Sequence, residues 1–192
     1  MDSSRRVITR NKAALVCGLL ACFIAAEPAR AQTATWIGAS GGDWNTPANW
    51  DIGVPGLGTN AVIPSGVSIT YNSPMLAPSF RTLSLSSGLS INAAGFVIDE
   101  QGASSTAVTI ATNATLSVAA GAGVTVTNAA GAINIPNGGA LNISGFFLTT
   151  NSSGTTAINV GNSGNPSRGG SITINNGATM TVDKVLNVAG VP

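Results

Sequence analysis

Between Val108 and Ile143 the chain repeats a triplet of apolar, polar and apolar residues: Val108-Thr109-Ile110, Leu116-Ser117-Val118, Val124-Thr125-Val126, Ile133-Asn134-Ile135 and Leu141-Asn142-Ile143. The triplets recur about every eight residues, the metre of short strands separated by turns, with side chains alternating inward and outward. The same phrase occurs before this run, at Leu83-Ser84-Leu85 and Leu89-Ser90-Ile91. It returns after it at Ile158-Asn159-Val160, Ile172-Thr173-Ile174, Met180-Thr181-Val182 and Leu186-Asn187-Val188. β-Branched Val, Ile and Thr dominate the triplets and Gly and Asn recur between them, so almost no helix is expected beyond Ala31.

Strands of about three to five residues are too short for a sandwich sheet but suit a coil in which each strand pairs with the turns above and below. Three units of about eight residues make a coil of roughly 24 residues, and residues 83–188 then supply about four to five coils. The predicted fold is therefore all-β, a right-handed parallel β-helix (β-solenoid). Inward Val, Ile, Leu and Ala stack on their equivalents, while outward Thr, Ser and Asn stay wet. Corners need left-handed backbone, so Gly and Asn gather there, and Asn side chains can stack in ladders. Phe146-Phe147-Leu148 breaks the alternation, which predicts one ring facing outward or covering a loop.

The open end of a β-helix exposes unpaired backbone and bare core, and needs a cap. All three tryptophans of the chain, Trp36, Trp44 and Trp50, fall within one segment from Trp36 to Ile63, making it the predicted tryptophan-rich N-terminal cap. A carbohydrate-stacking contact surface built from the same three rings is the alternative. Prolines at 47, 55, 64, 74 and 78 crowd the stretch before Thr82, whereas Gly and Asn take over the turns after it. That shift divides the chain into a cap region over 32–81 and β-helix repeats over 82–192.

The first residues change the picture of charge and address. Arg5, Arg6, Arg10 and Lys12 precede an apolar stretch from Ala13 to Ala26, followed by Ala29-Arg30-Ala31. A positive start, an apolar core shorter than the about 20 residues of a spanning helix, and an A-x-A ending predict a secretory signal peptide over 1–31, cleaved between Ala31 and Gln32 with Ala29 in the cleavage motif. Ser4-Arg5-Arg6-Val7-Ile8 is a weaker twin-arginine match lacking the usual Phe, and Leu19-Leu20-Ala21-Cys22 a weaker lipoprotein box followed by further apolar residues. Removal of this leader takes away both cysteines, Cys17 and Cys22. The remainder keeps Arg81, Arg168 and Lys184 against Asp43, Asp51, Asp99, Glu100 and Asp183, a net charge of −2 in place of the formal +1. So few charges make no basic stripe for nucleic acid, and a cysteine-free product has no disulfide frame. The product is predicted to be exported through the inner membrane and to contain no spanning helix.

The cap segment also carries a resemblance. Trp36-Ile37-Gly38, Asp43-Trp44-Asn45, Ala48-Asn49-Trp50, Gly53-Val54-Pro55 and Asn60-Ala61-Val62-Ile63 resemble the opening of bacterial autotransporter passengers and related surface proteins with autotransporter-associated β-strand repeats. Ile158-Asn159-Val160-Gly161 followed by Gly170-Ser171-Ile172-Thr173-Ile174-Asn175-Asn176-Gly177 is similar to the passenger repeat. The resemblance implies a secreted or surface-exposed passenger, outer-membrane-associated or released, with a structural and adhesive role. Its implied partners are a surface glycan or a host or abiotic surface, and an outer-membrane translocator if a C-terminal barrel exists. Members usually continue to a barrel whose last strand ends in an aromatic residue, whereas this sequence ends at Val191-Pro192.

Chemistry is sparse. The sequence has no histidine, and only Asp99 and Glu100 are adjacent carboxylates. Neighbours on a strand point to opposite faces, so these two read as a solvated turn rather than a convergent acid–base pair. Asp183-Lys184 reads as another polar turn. No nucleophile with a base, no phosphate loop and no metal-ligand cluster can be assembled, so neither catalysis nor a cofactor nor a metal is expected. Two alternatives stay open: a polysaccharide-binding or polysaccharide-cleaving β-helix, and an ice- or glycan-binding solenoid using outward Thr109, Thr125, Thr127, Thr173 and Thr181.

Overall fold

The computed structural model describes residues 31–74, 79–101, 106–150, 156–161 and 169–188. The predicted leader, apart from Ala31, and with it the motif residue Ala29, lies outside the described residues. Gln32 lies at the start of the fold, its carbonyl accepting a hydrogen bond from the Asn60 N–H at 2.7 Å.

Three parallel sheets wind into a β-solenoid. The first contains β1 (Thr33–Thr35), β2 (Asn60–Ile63), β5 (Thr82–Leu85), β8 (Thr106–Ile110), β11 (Gly131–Ile135), β14 (Thr156–Val160) and β17 (Val185–Val188), hydrogen-bonded in that order. The second contains β3 (Ser68–Tyr71), β6 (Gly88–Ile91), β9 (Thr115–Val118), β12 (Ala140–Ile143) and β15 (Ser171–Ile174). The third contains β4 (Ser79–Phe80), β7 (Phe96–Asp99), β10 (Gly123–Thr127), β13 (Phe146–Thr150) and β16 (Thr179–Thr181). The chain visits the sheets in turn, one strand from each per coil, so β2 to β16 make five coils and β17 opens the next. The parallel pairing and near absence of helix follow the expectation from the triplets.

Register converts the sequence repeat into columns. Leu83, Val108, Ile133, Ile158 and Leu186 stack on the inner face of the first sheet. Leu89, Leu116, Leu141 and Ile172 do so on the second. The coil is elastic about the expected length: partners on the first sheet are 22 residues apart at Asn60–Thr82, 25 at Asn134–Asn159 and 28 at Asn159–Asn187. Corners absorb the difference, because the strands are fixed by pairing and the turns are not. Gly121 takes a positive φ of 79°, and Asn113 and Asn128 reach 64° and 58°, conformations that Gly and Asn tolerate best. At Gly145 an added Cβ would run into the carbonyl oxygens of Ala119 and Ala122, so the corner before β13 has no room for a side chain.

The triplet-breaking run resolves as a strand. Phe147 is buried, stacked on Val124, while Phe146 points outward and is 41% exposed. Thr149 is buried in the column Phe80, Ile98, Val126. Its hydroxyl is satisfied there, donating to Asp183 Oδ1 at 2.7 Å.

The N-terminal end is closed by the tryptophan segment. After β1 pairs with β2, residues 41–44 lie along β3, with the Trp44 N–H donating to the Thr70 carbonyl and the Thr70 N–H to that of Gly42. A 3-10 turn at Pro47–Asn49 then reverses the chain, and Trp50 bridges antiparallel to Trp36. The boundary expected at residue 82 shifts as a result: Ala61, Ile63, Ile69 and Tyr71 are already inward-facing solenoid residues, and the cap spans only 33–51. The prolines at 55 and 64 lie outside strands, so they punctuate a coil rather than mark a separate region.

Candidate functional site

The outer face of the first sheet carries the most regular polar feature. In register, Ser84, Thr109, Asn134, Asn159 and Asn187 form one outward column. Within it Asn159 Nδ2 donates to Asn134 Oδ1 at 3.3 Å, and Asn187 Nδ2 donates to Asn159 Oδ1 at 3.0 Å. Stacked amides at strand spacing bond each other along the solenoid axis, and each keeps a second N–H and a second lone pair for other partners. Beside the column Gly131 pairs with Thr106, and a glycine there leaves a dip in the sheet. The result is an open depression of about 460 Å³ lined by Thr106, Gly131, Ile133, Asn134, Asn159 and Asn187. Among the described residues no lining side chain is ionisable, and the depression offers hydrogen bonds suited to a neutral polar ligand.

Asn ladders were expected at corners, and one stands there: Asn92 Nδ2 donates to Asn72 Oδ1 at 2.8 Å, and Asn72 Nδ2 to Asp43 Oδ2 at 2.9 Å. The ladder on the first sheet lies mid-strand instead. Its signal was Asn at the centre of triplets 25 residues apart, Ile133-Asn134-Ile135 and Ile158-Asn159-Val160, one coil rather than one triplet.

The tryptophans do not form a contact surface. Trp36, Trp44 and Trp50 are 2%, 0% and 3% exposed, so no ring offers a face to a sugar. They form a cap instead, packed edge-to-face with centroids 5.3 Å apart for Trp36–Trp50 and 4.7 Å for Trp44–Trp50. The stack continues into the core through Trp44–Phe96 at 5.0 Å and Tyr71–Phe96 at 5.0 Å. The physical reason is the large apolar area each indole removes from water at an end that is otherwise bare.

Asp99 and Glu100 have different partners, as adjacent strand residues should, but the solvated turn is half wrong. Asp99 Oδ1 accepts from the Gln101 N–H at 3.1 Å and from Asn128 Nδ2 at 2.9 Å. Glu100 is fully buried, its Oε1 3.7 Å from Arg81 Nη2. The corner turns the carboxylate inward, where the guanidinium offsets the cost of removing it from water. Asp183 and Lys184 occupy an exposed corner, as expected.

The five threonines do not share a surface. Thr109 lies on the first sheet, Thr173 on the second, and Thr125, Thr127 and Thr181 on the third, where Leu148 separates Thr125 from Thr181 in the same column. A flat hydroxyl array is therefore not formed. Among the described residues no group of three or more His, Cys, Asp or Glu could hold a metal ion, and no helix is long and apolar enough to cross a membrane. The chain matches no protein-family profile, no curated protein and no solved structure.

Proposed function

We propose that this chain is an exported, passenger-type β-solenoid with a structural and adhesive role at the bacterial cell surface. The observation that carries the reading is the division of labour in each coil. A continuous dry column of Leu, Ile and Val makes a rod, and its exterior is mostly small, neutral and hydrogen-bonding, suited to many weak contacts. The leader-like first residues and the passenger-like motifs support export and display. Such a role needs no cofactor and no catalytic group. The test is protease shaving of intact cells that express the protein with an epitope tag inserted at the Asp183-Lys184 corner. Loss of the tag without lysis, and reduced attachment of a deletion strain to glass or host cells, are the expected results. A tag protected in intact cells refutes surface display.

The amide column favours a second reading, a glycan-binding solenoid. Neutral amides and hydroxyls over an open depression suit sugar hydroxyls, with Asn134, Asn159 and Asn187 as the contacts. Titration against neutral oligosaccharides followed by NMR tests it. Shifts confined to β8, β11, β14 and β17 that vanish in Asn159→Ala are the expected outcome, and an unchanged spectrum refutes it.

A further inference from the structure

We propose that Asn176 is a site of spontaneous backbone modification, where the chain closes to a succinimide and reopens to aspartate or isoaspartate, while the identical dipeptide at Asn137 stays intact. The sequence contains two Asn-Gly pairs, Asn137-Gly138 and Asn176-Gly177. In such a pair no Cβ crowds the glycine nitrogen, which can therefore reach the asparagine Cγ. The nitrogen gives its proton to solvent and forms the N–Cγ bond. The Cγ–Nδ2 bond breaks, and ammonia leaves with a proton taken from water. Water then adds to one of the two ring carbonyls and reopens the ring. The net change is water in and ammonia out, with nothing oxidised or reduced.

Both pairs sit at the centre of a β-turn with glycine at positive φ. Gly139 N–H donates to the Pro136 carbonyl and Ala178 N–H to the Asn175 carbonyl, both at 3.0 Å, and φ is 77° at Gly138 and 82° at Gly177. Packing separates them. At the first pair the attacking Gly138 N–H is held by the Gly169 carbonyl at 3.2 Å, and the Gly138 carbonyl accepts from the Asn113 N–H at 3.0 Å, so the turn is pinned to the coils on either side. Asn137 Oδ1 is buried with no hydrogen-bond partner among the described residues. Ring closure gathers negative charge on that oxygen, where neither water nor a donor stabilises it.

At the second pair Asn176 and Gly177 are both exposed, and no backbone carbonyl among the described residues accepts the Gly177 N–H. A Cβ built at Gly177 would meet nothing within 4 Å, so the peptide between the two residues has room to rotate. The exposure belongs to the corner rather than to the coil's place in the stack. Ala119-Ala120-Gly121-Ala122 makes the same turn, with the Ala122 N–H on the Ala119 carbonyl at 3.0 Å and φ of 79° at Gly121. That turn joins β9 to β10, each paired on both sides, and Ala120 and Gly121 are exposed there too. The bonds that tie the Asn176 corner to the coil before it, from the Asn175 N–H to the Ile143 carbonyl and from the Thr179 N–H to the Gly145 carbonyl, flank the reacting peptide. Each event therefore adds one negative charge to an outer corner and leaves the coil paired.

Peptide mapping by mass spectrometry, with fragmentation that distinguishes isoaspartate, tests this on folded protein kept at mildly alkaline pH. Conversion at Asn176 is expected to run at least about tenfold faster than at Asn137. In urea-unfolded protein the two rates are expected to converge, since the dipeptides are then equivalent. Asn176→Ser is expected to abolish the acidic species that isoelectric focusing shows accumulating in the folded protein. Equal rates in the folded protein, faster conversion at Asn137, a difference that persists in urea, or an Asn176 that stays intact while the unfolded chain converts each overturns the proposal.

Discussion

The first and the last described coils of the solenoid differ in how their core residues are covered. At the N-terminal end the last core layer is roofed by Trp36, Trp44 and Trp50, whose rings join Phe80, Phe96 and Tyr71 in one aromatic stack. In the last described strands the same inward columns are partly exposed, at Ile174, Leu186 and Val188. The difference teaches that a residue's burial in this fold depends on its neighbours one coil away rather than on its own strand. Ile158 and Leu186 occupy equivalent positions, and the next coil keeps the first at 0% exposure while nothing described keeps the second from 46%. In a stack where each coil touches only its neighbours, a layer with a described coil on both sides is held more strongly than one with a coil on one side.

The largest expected contrast is between core residues at the two ends. Trp44→Ala removes a fully buried indole from a four-ring junction and is expected to cost about 3–5 kcal/mol in urea unfolding, whereas Leu186→Ala costs less than about 1 kcal/mol. Equal costs would break the comparison. Next comes the buried ion pair near the capped end: Arg81→Met leaves the Glu100 carboxylate without its guanidinium and is expected to destabilise by about 2–3 kcal/mol, discounted because the arginine side chain is 28% exposed. The double replacement Arg81→Met with Glu100→Leu is expected to recover most of that loss, since well-packed apolar side chains need no counter-charge. Toward the last described strands, Thr149→Val deletes the hydroxyl bonded to Asp183 and is expected to cost about 1 kcal/mol by the same measurement. The smallest effect sharpens the gradient itself. Amide hydrogen exchange is expected to be slowest in β6 and β9, faster in β15 and β17, with Asn159→Ala speeding exchange in β14 and β17 and leaving β6 unchanged.

Much of the fold was legible because its information is local. Apolar–polar–apolar triplets assign inward and outward faces directly, and Gly or Asn between them marks the corners, so Val108, Leu116 and Val124 could be placed inside without knowing the sheets. Asn60-Ala61-Val62-Ile63 was misassigned to the cap because the prolines on either side, Pro55 and Pro64, suggested a separate region, although Ala61 and Ile63 already alternate inward. The candidate site was less legible. A column such as Asn134, Asn159, Asn187 exists only after the coil length is known to be 25 and then 28 residues, and an error of one residue would rotate each Asn to the other face.

The sequence by itself determined that this chain is all-β, that its strands are short, and which side chains of each triplet face inward. Those properties follow from strand alternation and turn chemistry within a few residues. Tertiary structure alone decided that the indoles are a roof rather than a surface, that Glu100 turns inward to Arg81 while Asp99 reaches Asn128, and that the threonines scatter over three faces. Each of these depends on which residues of successive coils come into register, and that is fixed by the length of the turns between strands rather than by the strands themselves.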